Sequence, residues 1–219
     1  MFHKILIANR GEVALRVLRA CTELQIPAVL VYSEADRDSL PVKLAPEAYC
    51  IGPSPSARSY LNIPPILAVA EFSRADAVHP GYGFLAENAR FAEMCAQHNL
   101  KFIGPTAAVI AQMGDKIAAR RAFRELGIPV LPGSDGALED ATQAQELAQA
   151  IGFPVVLKAA GGGGGLGIRV VWDARELAEA LDQAQAEAQG AFGDAAVYLE
   201  KYLARARHIE VQVLADQHG

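Results

Sequence analysis

Cysteine is scarce in this sequence. Three stand in 219 residues, Cys21, Cys50 and Cys95, odd in number and far apart. That spacing fits neither a disulfide framework nor a zinc site, and leaves buried free thiols as the expectation. Long basic runs are missing as well. Arg120-Arg121 and the Arg205/Arg207 pair are short and flanked by apolar residues, which reads as a solvated face, and the formal net charge of −5 argues against nucleic acid as a partner. No stretch approaches membrane-spanning length, and Met1-Phe2-His3 leads at once into an apolar strand without a charged n-region, an h-region or a cleavage site. The expectation is a cytoplasmic protein with no membrane partner. A Walker A loop is also absent, because the glycine run is followed by Leu166-Gly167 and not by Gly-Lys-Ser/Thr.

What is present is an ordinary globular composition, 52% hydrophobic and 21% charged, long enough for one large or two smaller cores. Lys4-Ile5-Leu6-Ile7-Ala8 reads as a strand covered on both faces. Ala14, Val17, Leu18, Cys21 and Leu24 follow at helical spacing, and Ala28-Val29-Leu30-Val31-Tyr32 is a second buried strand. Residues 4–32 therefore form a βαβ unit with a right-handed crossover. Its first turn, Asn9-Arg10-Gly11, lacks the glycine fingerprint of a nicotinamide site. Strands at 48–51, 76–79 and 101–105 alternate with helices at 63–72 and 89–97. Two more helices, 107–113 and 117–126, come next, with Thr106 as a cap and Gly127 and Pro129 as stop signals. In open α/β sheets ligands bind at the carboxyl ends of strands, which makes His79, Tyr82 and Glu87 pocket candidates, with a structural role favoured for His79.

The stretch around which the second half is organised runs from Val155 to Val171. A β-rich run holds Lys158, five consecutive glycines follow at 161–165, and Ile168-Arg169-Val170-Val171 brings the chain back. Each ordered glycine costs roughly 0.5–1 kcal/mol relative to alanine, so close approach of backbone N–H groups to an anion is the reason sought. The spacing Gly162-x-Gly164-x-x-Gly167 matches the dinucleotide pattern by accident, since a strand and not a helix follows it. With little to pack against, this flap is expected to be mobile without a ligand. Lys116, at a helix N-terminus, is in a place that disfavours a cation unless an anion is shared. A composition change near residues 127–134, through Pro132-Gly133-Ser134-Asp135-Gly136, reads as a domain boundary. Beyond it lie a helix at 143–151, the flap and its strands, an alanine-rich helix at 174–189 and a strand at 197–201. Finally Ile209-Glu210-Val211-Gln212-Val213-Leu214 alternates strictly, the pattern of a half-buried strand. Its partners are not in the sequence, which reads as a larger third domain lost or omitted after Gly219.

Five ordered motifs carry a family resemblance over the whole chain: Ala8-Asn9-Arg10-Gly11-Glu12, His79-Pro80-Gly81-Tyr82-Gly83-Phe84-Leu85, Met113-Gly114-Asp115-Lys116, the flap from Lys158 to Gly167, and Glu200-Lys201-Tyr202-Leu203 followed by His208-Ile209-Glu210-Val211-Gln212-Val213. Together they resemble biotin carboxylase, an ATP-grasp family. The Pro132 to Gly136 form is most like the biotin carboxylase subunit of acetyl-CoA carboxylase, with pyruvate carboxylases similar there.

The resemblance implies an α/β fold in four parts. These are a Rossmann-like parallel-sheet pre-ATP-grasp domain (1–114), a helical connector (115–130), a small α+β lid (131–203), and the first strand of an incomplete ATP-grasp domain (204–219). It implies ATP-dependent carboxylation of biotin on biotin carboxyl carrier protein by bicarbonate through carboxyphosphate, the first half-reaction of acetyl-CoA carboxylase in fatty acid synthesis. Carboxyltransferase subunits would be partners, and the full-length parent a homodimer. Lys116 and Lys158 would meet the ATP phosphates, Gly164 and Gly165 supply flap contacts, Glu200, Lys201, Tyr202 and Leu203 hold adenine, and His208 lie toward the ribose. Mg2+ ligands, the bicarbonate arginine and the catalytic base would come after Gly219, leaving this chain incomplete for turnover and without a metal site of its own. Relatives usually carry Arg or Lys where Leu166 stands, which removes a charge from the flap. Two other readings remain: another ATP-grasp ligase of the carbamoyl-phosphate synthase or carboxylate–amine kind, and a non-catalytic nucleotide-binding fragment.

Overall fold

The computed structural model describes residues 2–161, 168–216 and 218. The chain divides into two compact units, Met1–Gly114 and Asp115–Gly219.

In the first unit the elements alternate in the order β1 (Ile5–Ile7), α1 (Gly11–Glu23), β2 (Ala28–Ser33), α2 (Leu40–Leu44), β3 (Ala48–Gly52), α3 (Ile63–Ser73), β4 (Ala77–His79), α4 (Ala89–Gln97), β5 (Lys101–Phe102) and α5 (Ala107–Gly114). The strands form one parallel sheet in the order β3-β2-β1-β4-β5. Alternation along β1 and β2 divides their apolar side chains between two cores. Leu6, Val29, Val31 and Val78 join Ile66 of α3 and Phe91 of α4 on one face. On the other, Ile5, Ile7, Leu30 and Ala77 meet Ala14, Leu18 and Cys21 of α1. Continuous apolar runs are therefore what a sheet covered on both faces requires. Because the chain leaves β1 toward β2 on one side and returns at β4 on the other, the strand order reverses between β1 and β4. The carboxyl ends of these two strands flank the switch point, where such sheets place ligands. Of the three cysteines only Cys21 and Cys95 are buried; Cys50 is exposed, contrary to expectation, because β3 is an edge strand.

The second unit contains α6 (Lys116–Glu125), α7 (Ala141–Ile151), β6 (Val155–Ala159), β7 (Arg169–Val171), α8 (Leu177–Phe192) and β8 (Val197–Lys201). Its sheet is antiparallel, ordered β7-β6-β8. Val155, Leu157, Ala159, Val171, Val197 and Leu199 point to one face and are covered by Ala144 and Ala148 of α7 and Leu177, Leu181 and Ala184 of α8. Val156, Lys158, Tyr198 and Glu200 occupy the opposite face, as the two-residue period demands. Helix α8 starts three residues later than the 174–189 reading and runs on to Phe192, where Gly193 at φ 74° ends it. The composition change at 127–134 is not where the chain divides. Ser134 N–H donates to Leu199 O at 2.8 Å, Leu138 N–H to Val197 O at 2.8 Å and Lys201 N–H to Pro132 O at 2.8 Å, so this segment covers the outer edge of β8.

The alternating segment at 209–214 forms no strand. Ile209, Val211, Val213 and Leu214 are exposed and outside both sheets. Alternation supplies an apolar face but no ladder partner, and β8 is already flanked by β6 and by residues 132–138.

Candidate functional site

The register of β6 against β8 pairs Val156 with Glu200 and Lys158 with Tyr198. Lys158 and Glu200 thus lie diagonally on one sheet face, within reach of long side chains. Lys158 Nζ donates to Glu200 Oε1. A second cation reaches the same carboxylate from α6: Arg120 Nη1 donates to Glu200 Oε2 at 2.8 Å, while its Nη2 donates to Leu131 O at 2.8 Å. The guanidinium lies 5.7 Å from the centroid of the Tyr198 ring. Side-chain exposure grades across the cluster, 7% for Glu200, 13% for Arg120 and 28% for Lys158. Gly133 pairs with Glu200 across the edge of β8. A Cβ there would stand 2.5 Å from Leu199 O and 2.7 Å from Arg120 Nη2, so the close approach requires glycine.

Lys116 opens α6 one turn before Arg120, on the same helical face. The cap is Asp115, whose Oδ1 accepts from Ile117 N–H at 2.8 Å and Ala118 N–H at 3.1 Å. Lys116 N–H donates to Ala160 O at 3.3 Å, tying the start of the helix to the end of β6, where the glycine run begins. Burial pushes the Lys116 ammonium below its ordinary range, the positive charge of Lys158 pushes the same way, and Asp115 opposes them. The charge of Lys158 acts on Lys116 at the start of α6, and an anion near both is favoured by each of them and by the helix N-terminus. The arrangement can bind phosphate groups through point charges, and Glu200 adds a buried acceptor next to them.

Other residues expected at the site are dispersed. Lys201 Nζ donates to Gly152 O at 2.8 Å and Phe153 O at 3.1 Å. Tyr202 packs edge-on against Trp172, with ring centroids 6.0 Å apart, and Leu203 is exposed. His208 is exposed and pairs with Glu210 at 2.8 Å, so it is not brought to the Lys158 cluster. Gly164, Gly165 and Leu166, and with them the expected mobility of the flap, lie outside the described residues. Arg120 was not legible as a site residue. Its neighbours in sequence point to a solvated face, yet tertiary contact encloses most of its side chain; the one signal for it is the i, i+4 spacing from Lys116.

In the first unit the two motifs at the switch point hold each other. Asn9 Nδ2 donates to Pro80 O at 2.7 Å and Tyr82 O at 2.9 Å. Gly81, at φ 65°, leaves a Cβ only 2.4 Å from Val13 Cγ1 and 2.7 Å from Asn9 Nδ2, which explains glycine there. His79 Nδ1 accepts from Gly81 N–H at 3.0 Å, and burial lowers its pKa, so the imidazole is a neutral structural acceptor. Tyr82 is 70% exposed, with its hydroxyl 3.5 Å from Glu12 Oε2. Glu87 lies apart from it, at the rim of a hollow of about 290 Å³ lined by Ala86, Pro105, Val109, Ile110 and Met113.

Residues 1–110 match the family model for the biotin carboxylase N-terminal domain, and residues 115–219 that for the ATP-binding domain of the carbamoyl-phosphate synthase L chain. Biotin carboxylase of Haemophilus influenzae is 56% identical over 100% of this chain and 49% of its own length. A pyruvate carboxylase subunit of Methanothermobacter thermautotrophicus is 52% identical over 100% of this chain and 45% of its own. The chain thus spans about half the length of the curated relatives it matches. Among solved structures, the biotin carboxylase–β-γ-ATP complex from Campylobacter jejuni superposes with a TM-score of 0.89 at 53% identity, over 93% of this chain and 46% of that one. The biotin carboxylase domain of Hydrogenobacter thermophilus 2-oxoglutarate carboxylase, in complex with MgADP, ADP and bicarbonate, gives 0.87 at 48% identity, over 93% and 45%. With its first half matched by that domain and its full length by these relatives, the chain belongs to the biotin carboxylase family.

Proposed function

We propose that this chain supplies the phosphate-binding face of a biotin carboxylase, which uses ATP and bicarbonate to carboxylate biotin carried on a partner protein. The observation that carries the reading is the Lys116–Lys158–Glu200 cluster, in a unit whose sequence matches an ATP-binding domain and whose solved relatives are nucleotide complexes. In the reaction a bicarbonate oxygen attacks the γ-phosphorus of ATP, the bond to the β,γ-bridging oxygen breaks, and ADP leaves. The ureido nitrogen of biotin then takes the carboxyl group from carboxyphosphate, releasing phosphate and the nitrogen's proton. Lys116 and Lys158 hold phosphate oxygens, and the strand end from Glu200 to Leu203 is assigned to the purine. Within the first unit, Tyr82 and Glu87 are proposed as substrate-pocket residues; Gly164 and Gly165, proposed for the phosphates, lie outside the described residues. Among the described residues no group of three or more His, Cys, Asp or Glu is placed to hold a metal ion, and the roles proposed for this chain are those of its lysines, its glycines and its strand end at Glu200 to Leu203.

Within the family we assign the chain to acetyl-CoA carboxylase, with a biotin carboxyl carrier protein and carboxyltransferase subunits as partners. The pyruvate carboxylase reading is favoured by one observation, the whole-chain similarity to the Methanothermobacter protein. The test is ATP cleavage by the complete gene product. Phosphate release that requires both biotin and bicarbonate is the expected result, and release driven by an amine and indifferent to biotin refutes the proposal. Transfer of labelled carboxylate to acetyl-CoA or to pyruvate, with the matching carboxyltransferase added, separates the two assignments.

A further inference from the structure

We propose that Arg120 is a positioning residue of the nucleotide site: by holding the Glu200 carboxylate in place, it leaves Lys158 able to exchange that carboxylate for an anionic ligand. This rests on the phosphate-binding reading of the Lys116 and Lys158 face.

The geometry distinguishes the two cations on Glu200. Arg120 is anchored at three points, to Glu200 Oε2 and Leu131 O, each at 2.8 Å, and against the Tyr198 ring. Its Nε is buried with no hydrogen-bond partner, a cost that the two Nη contacts must offset. Gly133, with no room for a side chain, closes the connector over this guanidinium. The side chain therefore joins α6, the 131–133 connector and β8, and has nowhere else to go. Lys158 makes one contact with the same carboxylate from a flexible stem, and about a quarter of its side chain is exposed. A planar fork is held by geometry, whereas an ammonium is a point charge that can trade one anion for another. Were Lys158 the sole cation on Glu200, its departure would leave a buried carboxylate unpaired, and the ligand would have to overcome that cost. Arg120 removes the penalty, and it does so from the helix whose first residue is Lys116.

The complete gene product tests this with two readouts, the KM for ATP and the rate at which an amine-specific acylating reagent modifies Lys158, followed by peptide mass spectrometry. Arg120→Met is expected to raise KM at least tenfold with kcat within twofold, and to slow Lys158 acylation at least threefold as Glu200 sequesters the amine. Arg120→Lys, which reaches Glu200 but not Leu131 O as well, gives intermediate values. Folded Arg120→Met with wild-type KM and acylation overturns the proposal. If that variant does not fold, Arg120→Lys is compared in wild-type and Glu200→Gln backgrounds. Its effect on acylation should vanish in the latter, and an equal effect in both overturns the proposal. Failure of ATP to protect wild-type Lys158 from the reagent would refute the nucleotide reading, while the acylation rates still decide the role of Arg120.

Discussion

Among the described residues each unit has one buried acidic side chain, Asp36 in the first and Glu200 in the second, and each is met by an arginine. They differ in what else the carboxylate touches. Asp36 takes both Nε and Nη2 of Arg10, at 2.8 and 2.6 Å, together with Ser33 Oγ at 3.0 Å and the Tyr60 hydroxyl at 2.8 Å. The Tyr60 oxygen accepts Ser33 N–H at 2.9 Å in turn. The Arg10 contact is the main cause holding Asp36 below its ordinary pKa, and Tyr60 is pushed up to about 12, chiefly by burial. Ser33 and Tyr60 are held inside the fold and Arg10 binds through two nitrogens, so the carboxylate is met on both oxygens and the network reads as structural. Glu200 is shared between one immobile cation and one exchangeable cation, so its network has a movable part. A buried acidic group is informative about function when one of its partners can leave.

The comparison breaks most visibly at Asp36. Asp36→Ala strands Arg10, Ser33 and Tyr60, and should lower the unfolding free energy by about 3 kcal/mol, toward the low end for a broken buried pair because Arg10 is half exposed. Urea unfolding followed by near-ultraviolet circular dichroism measures it. A loss below about 0.5 kcal/mol, the size expected of a surface substitution, would make the network dispensable.

Lys158→Ala is expected to do the opposite, since Arg120 still pairs Glu200. The KM for ATP should rise about 10- to 100-fold, equivalent to roughly 1.4–2.7 kcal/mol of binding, with unfolding changed by less than about 1 kcal/mol. Steady-state kinetics beside thermal melting checks both, and unchanged kinetics removes Lys158 from the site.

The smallest effect concerns pH. Burial depresses the folded pKa of His79 below its ordinary 6.5, so the neutral ring's contribution is complete above that value and is lost as pH falls toward the folded pKa, because the unfolded chain takes the proton first. The slope is at most about 1.4 kcal/mol per pH unit. His79→Asn should flatten the stability profile below pH 6.5 without altering the KM for ATP. A shift in KM instead would move His79 from structure to function.

Much of the fold was legible because burial leaves a period. The strand at 197–201 and the helix at 89–97 stand where the pattern puts them, and Gly127 and Gly193 end helices by adopting positive φ. The alternation at 209–214 forms no strand here, because a face is not a pairing and its expected partners are not in this sequence. Lys116 and Lys158 stood out as candidates from a helix start and a glycine flap, whereas the contact of Arg120 with Glu200 had no such signal, since its partner stands 80 positions away in sequence.

By itself the sequence determined most of the strands and helices of the two sheets and the family to which the chain belongs, because these follow from local spacing, side-chain size and ordered motifs. Tertiary structure alone decided that one arginine on α6 is largely enclosed and its neighbour exposed, that Cys50 faces solvent, and that Glu200 stands between two cations. Such outcomes depend on which surfaces meet, and long-range contact in a medium of low dielectric sets the strength of each charge pair.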